Sequence, residues 1–170
     1  WNYSTIISYY KMKKKKSTRI SKYVSYNEGV RSSTAARLGI VNTPPEDILK
    51  DMKEIAAYVF EPLRRWVEGP VKITSFYRCE ELNRAIGGST SSQHCKGQAM
   101  DLDDTFGFKT NAEMFDYIKN NVKFDQLIWE FGDDNNPDWI HVSYTKHRKN
   151  RGKILRASRK DGRTVYTYMQ

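Results

Sequence analysis

Two short stretches, about forty residues apart, constrain this chain more than anything else in it. The first, Ser92-Gln93-His94-Cys95-Lys96-Gly97-Gln98-Ala99-Met100-Asp101, sets a histidine and an aspartate seven positions apart with a glycine between them. The second, Asp138-Trp139-Ile140-His141-Val142-Ser143, supplies another histidine beside another acid. Two ligands from one short segment and a third from a distant one is a common way to build a catalytic zinc site. Such a site has three protein ligands of nitrogen and oxygen type and leaves the fourth position open. His94, His141 and Asp101 make that set. Gly97 lets the chain turn sharply enough for His94 and Asp101 to converge. Any fold for this chain has to bring the two stretches together.

The rest of the sequence reads as alternating helices and strands. Asn42-Thr43-Pro44-Pro45-Glu46-Asp47 is a helix start, with Thr43 suited to the N-cap, proline tolerated in the first turn and acids where the helix dipole favours them. Ile48, Met52, Ile55, Ala56, Val59, Phe60 and Leu63 then recur at helical spacing, which predicts the main core helix, with Pro62 near its end and Gly69-Pro70 as a stop. Residues 71–76 alternate apolar and polar and predict a strand; 80–86 a short helix; 99–102 a strand; 111–120 a helix; 124–131 and 139–144 strands. Asp161-Gly162 marks the turn of a terminal hairpin over 154–169. A short strand is also expected at 23–26. The strand connections are too short and uneven for a run of βαβ crossovers. The expected fold is therefore α+β, an antiparallel sheet flanked by helices in a single domain. Residues 1–22 read as a basic, loosely held segment, and residues 23–170 as the domain, with a basic hairpin over 152–169.

Composition narrows the function classes. At 170 residues, with 38% hydrophobic and 13% aromatic residues, the chain is long enough and apolar enough to bury a core. No apolar run approaches the eighteen or so residues of a membrane span. The formal charge of +9, from 29 basic and 20 acidic residues, favours anionic partners. Much of it is local, at Lys11 to Arg19 and at His147 to Arg163. Aromatic and basic residues do not interleave as in single-strand-binding proteins, so nucleic acid is not the expected partner. Two cysteines, Cys79 and Cys95, with no CxxC, exclude a thiolate zinc finger and read as free thiols. No secretory signal is read at the N-terminus, because Ile6, Ile7, Tyr9 and Tyr10 precede the lysines instead of following them.

A hydrolytic metal site also needs a group that moves protons. Asp138, three residues before His141, is the first candidate, provided it lies just before the strand, since alternation within a strand would turn it away from His141. Glu130 is the runner-up. Arg78, permanently charged and forked, is the candidate for holding an oxyanion. Ser92 and Gln93 are candidates for hydrogen-bonding substrate or a ligand, against a plain turn role. Asp101 with Asp103 and Asp104 lacks the full EF-hand pattern. Trp129 and Trp139 read as core.

Ser92-x-His94-x-x-Gly97-x-Ala99-x-Asp101, followed by Trp139-x-His141-Val142, resembles the zinc D-Ala-D-Ala carboxypeptidase family, part of the group that also holds lysostaphin-type enzymes and the hedgehog signalling domain. Thr74-Ser75-Phe76-Tyr77-Arg78 through Leu82-Asn83-x-Ala85-Ile86-Gly87-Gly88 resembles the segment preceding the metal motif in that family. The resemblance covers roughly residues 23–144. It implies that His94, Asp101 and His141 hold one zinc ion, that Asp138 is the acid/base and that Arg78 steadies substrate and transition state. Better-known members carry glutamate where this chain has Asp138. The resemblance further implies a monomeric peptidase acting on peptidoglycan stem peptides, similar to small endolysin-type members of phages and bacteria. Such a protein would be made in the cytoplasm and act on the wall after release or export. The alternative it leaves open is a zinc-stabilised binding domain without catalysis.

Overall fold

The computed structural model describes residues 19–169. Most of the expected N-terminal segment, residues 1–18, lies outside them. Residues 19–22 fold onto the domain: Ile20 is buried, Arg19 bridges to Ser25, and the Lys22 N–H donates to Glu61 Oε1 at 3.0 Å. The strand expected at 23–26 does not form. Ser25 is instead the N-cap of α1 (Tyr26–Val30), locked by a capping box with Glu28, and that local pairing draws the segment into a helix.

After α2 (Ser33–Leu38), α3 (Glu46–Ile55) begins at Pro45, which cannot cap with a side chain, so the expected cap at Thr43 is displaced by two residues. α3 does not end near Pro62. It passes through a π-helical turn, Ala56–Phe60, into α4 (Glu61–Val67). Pro62 has no N–H, and its ring crowds the carbonyl four residues back. Widening the preceding turn, with the Glu61 N–H reaching Ala56 O, lets the helix continue past it. Met52, Ile55, Ala56, Val59, Phe60, Leu63 and Val67 form one buried stripe along this rod.

The stripe packs on a six-stranded sheet of order β1-β2-β4-β3-β5-β6. The strands are β1 (Lys72–Ser75), β2 (Ala99–Asp103), β3 (Gln126–Glu130), β4 (Trp139–Ser143), β5 (Lys153–Lys160) and β6 (Arg163–Tyr168). The fold is α+β as expected, and its sheet is mostly antiparallel. β3 and β5 are the parallel exception. β4 runs antiparallel to β3 and so delivers the chain to the N-terminal end of β3. A strand started there on the other side of β3 must run parallel to it. α5 (Glu80–Ala85) carries the loop before the metal motif, and α6 (Asn111–Asn121) packs Met114, Phe115 and Ile118 into the core. Trp129 is buried against Phe115, in the core as read, whereas Trp139 is only half-buried, beside Phe131.

Alternation along the central strands separates core from site. On β2, Met100 and Leu102 face the helices; on β4, Ile140 and Val142 do. Asp101 and His141 therefore share the opposite face, directly paired in register, with Ile128 of β3 across from His141.

Candidate metal centre

His94 comes from a 3₁₀ turn, Gln93–Lys96, that ends at Gly97. Gly97 has φ +65, and a Cβ there would sit 2.8 Å from Ile48 O and 2.7 Å from Met52 Cγ. Both the backbone region and the close approach to α3 require glycine. The turn presses His94 against the β2–β4 face, where its ring is 3% exposed.

The three candidate ligand atoms form a small triangle. His94 Nε2 lies 3.2 Å from Asp101 Oδ1 and 3.2 Å from His141 Nδ1, and His141 Nδ1 lies 2.9 Å from Asp101 Oδ1. One face of a tetrahedron around an ion bonded at 2.0–2.1 Å has edges of about 3.3 Å. The match in edge length is close. His94 Nδ1 lies 2.7 Å from Phe76 O, a bond in which only the ring nitrogen can be the donor, so Nε2 presents a lone pair. A lone pair and a carboxylate held this close favour a cation between them. The donor set therefore fits a metal ion. Among the described residues it is the one group of three or more His, Cys, Asp or Glu side chains arranged to hold one.

Electrostatics agree with that reading. Burial lowers the His94 pKa, so the ring stays neutral and available as a ligand. Burial would raise Asp101, but its two histidine neighbours outweigh that and hold the carboxyl well below the usual range. Arg78 supports the same carboxylate from the other side, donating Nη2 to Asp101 Oδ2 at 2.6 Å and Nε to Ser75 Oγ at 2.8 Å. Its fork thus orients a candidate ligand as well as lining the site.

His94 and His141 open into a cleft of about 1010 Å³. One wall is the Gly87–Ser92 loop with Gln93, the other the loop after β4 and the hairpin. Ser92 lines it while also making turn hydrogen bonds to Ser89 and Cys95. Gln93 lines it too, but its amide nitrogen is committed to Asp125 Oδ2 at 3.1 Å, and its Oε1 is buried without a partner.

The two candidate proton carriers are separated. Asp138 is exposed and lies one residue before β4, as its role required, but it faces a shallower recess beside Thr74, Asp101, Asp103 and Trp139. Glu130 lines the main cleft. It ends β3 on the His141 face, a diagonal neighbour of that histidine, and is 7% exposed. Burial, reinforced by Asp101 and opposed by His141 and Arg78, raises its pKa to about 7. An acid closing an otherwise apolar strand was the sequence signal for it.

Sequence reasoning missed Asp125 altogether. It is fully buried and takes hydrogen bonds from Arg148, from Arg151 and from Gln93, so it ties the loop after β4 to the turn that carries His94. Cys79 and Cys95 are free thiols, and Cys79 Sγ caps α5.

A triangle able to hold a metal ion at the edge of an open cleft, with a buried acid of raised pKa nearby, fits a site of metallohydrolase type. The chain matches the Peptidase M15 family model over residues 22–143, and it belongs to that family of metallopeptidases. No curated protein matches it. The matched region contains every ligand candidate and stops at the last residue of β4, so the loop and hairpin that wall the cleft lie beyond it. Among the described residues no helix is long and apolar enough to cross a membrane.

Proposed function

We propose that this chain is a zinc-dependent peptidase that cleaves peptidoglycan stem peptides, at a D-Ala-containing or neighbouring bond, as endolysin-type wall hydrolases do. The observation that carries it is the triangle of His94, Asp101 and His141, whose two histidines line an open cleft, within an M15 match. Two imidazoles and one carboxylate suit zinc, and one ion per chain would supply Lewis-acid polarisation of the scissile carbonyl and activation of water.

The protein's own groups supply the rest. Glu130, in the cleft and with a pKa near 7, is placed to take a proton from the attacking water and return it to the departing amine. Asp138 holds the position the family pattern favours, three residues before His141, but from the recess side. The cleft geometry favours Glu130. Arg78 keeps Asp101 aimed at the metal, and its Nη1, without a protein partner among the described residues, is left for a substrate oxygen. Ser92 and Gln93 line the same cleft and are the residues offered to hydrogen-bond the substrate. A domain that merely held zinc would have no use for a buried acid beside the cleft.

The test compares Glu130→Gln with Asp138→Asn on purified peptidoglycan, with bound zinc measured in each. Glu130→Gln is expected to keep zinc and lose at least about a hundredfold in rate, within the range for general acid–base catalysis. Asp138→Asn is expected to lose less. The reverse ranking would return the proton-transfer role to Asp138, and hydrolysis unaffected in both would contradict this mechanism.

A further inference from the structure

The family match ends at Ser143, yet one wall of the cleft is built after it, by the loop between β4 and β5 and by the β5–β6 hairpin. That wall is strongly cationic. Arg148 and Arg151 line the cleft there together with His147, Lys96 lines it from the His94 turn, and Glu130 is the one acid in the lining. The two arginines are not loose surface charges. Both hydrogen-bond Asp125, which is fully buried, and the Arg151 N–H also donates to it, so the loop's position is fixed from beneath. One carboxylate cannot neutralise two guanidiniums, so the cluster keeps a net positive charge. Arg148 uses its two Nη atoms and Arg151 its Nε and Nη2 on Asp125. Arg148 Nε and Arg151 Nη1 have no partner among the described residues. Their side chains are 47% and 38% exposed, and both line the cleft. On the same wall His147 is held by Asp51, with Nε2 at 2.8 Å from Oδ2, and Asp51 is in turn held by Gln98.

We propose that Arg148, Arg151 and Lys96 form a carboxylate subsite, so that the peptide preferred by this enzyme carries a free acid group away from the bond being cut. The inference rests on the peptidase reading above and adds the substrate's charge to it. Two guanidiniums anchored on Asp125, each with an uncommitted nitrogen donor and both lining the cleft, suit a planar carboxylate. A neutral carboxamide at the same place would offer one acceptor and bring an amide N–H₂ against cations.

The experiment uses two synthetic stem peptides identical except that one carries a free α-carboxylate on its glutamyl residue and the other a carboxamide. The full-length zinc enzyme is expected to cleave the carboxylate peptide with kcat/KM about tenfold higher, the scale of one charge-assisted hydrogen bond, mainly through KM and less so in high salt. In Lys96→Gln and in Arg151→Gln the ratio between the peptides is expected to fall toward one. The Lys96 side chain makes no hydrogen bond among the described residues, so its variant keeps the test valid should Arg151→Gln fail to fold. Binding of the same peptides, fluorescently labelled, to Glu130→Gln protein separates subsite from chemistry. Equal cleavage and equal binding of the two peptides would overturn the subsite and leave the peptidase reading standing. Cleavage of neither, with the carboxylate peptide still bound preferentially, would support the subsite and overturn the peptidase reading.

Discussion

At the residue scale, the proposed role of Glu130 is what would separate a catalytic centre from a passive metal holder, and its charge state ought to be visible in a pH profile. Its carboxyl, raised to about 7, must be ionised to accept a proton, so activity is expected to rise with pH and level off. A bound dication nearby stabilises the ionised form, which places the midpoint of that limb below 7 in the zinc enzyme. Steady-state rates from pH 4.5 to 9 test this. The acid limb is expected to disappear from the residual activity of Glu130→Gln, and its survival there would assign it to another group. The candidate ligand triangle was readable from sequence because His94, Gly97 and Asp101 lie within one short motif and His141 in a clear strand pattern. The proposed proton carrier depends on more than counting. Spacing from His141 points to Asp138, whereas a side chain's position also depends on which face of which strand it leaves, and Glu130 reaches the cleft from a strand paired with β4.

At the scale of elements, two contacts position the His94 turn. The first is Gly97 against α3. Gly97→Ala combines a strained φ with a Cβ 2.8 Å from a backbone oxygen, and is expected to cost about 1–3 kcal/mol and to weaken zinc binding with it. Urea unfolding and a zinc titration check both effects. The second contact is Asp125. The arginines hold its carboxyl well below the usual range, so its contribution is complete above the unfolded-state pKa of about 3.9 and is lost as pH falls below that value. Asp125→Asn is expected to cost about 1–3 kcal/mol at pH 7, toward the low end because its half-exposed arginine partners rehydrate. That deficit should shrink between pH 5 and about pH 2. A pH-independent difference would contradict this. Periodicity showed the elements themselves well, including the Asp161-Gly162 hairpin, whose turn residues both take positive φ. It could not show that α3 survives Pro62 through a π turn, because that accommodation is a backbone adjustment with no pattern of its own. Nor could it pair Asp125 with Arg148 and Arg151, which lie more than twenty residues on.

At the scale of the whole molecule, the sheet is the device that makes the site. Its two faces divide labour: helices cover one, and the other carries the candidate ligands from β2 and β4, the proposed acid from β3 and a cationic wall from the C-terminal loop. Mostly antiparallel order followed from short connections; the parallel β3–β5 pair did not, because it depends on where the chain re-enters the sheet and not on local pattern. If the preformed triangle holds zinc as proposed, zinc binds the native state and stabilises it globally. At a hundred times its dissociation constant, zinc is expected to add about 2.7 kcal/mol of stability, visible as a rise in the thermal midpoint that His141→Ala abolishes.

The most direct test of the central claim is mass spectrometry of muropeptides after incubating purified peptidoglycan with the protein, with chelator, and with chelator followed by excess zinc. New stem-peptide ends are expected with the untreated protein, none with chelator, and their return with zinc. Cleavage that chelator leaves untouched would contradict the claim, as would a zinc-loaded protein that cuts no peptide bond.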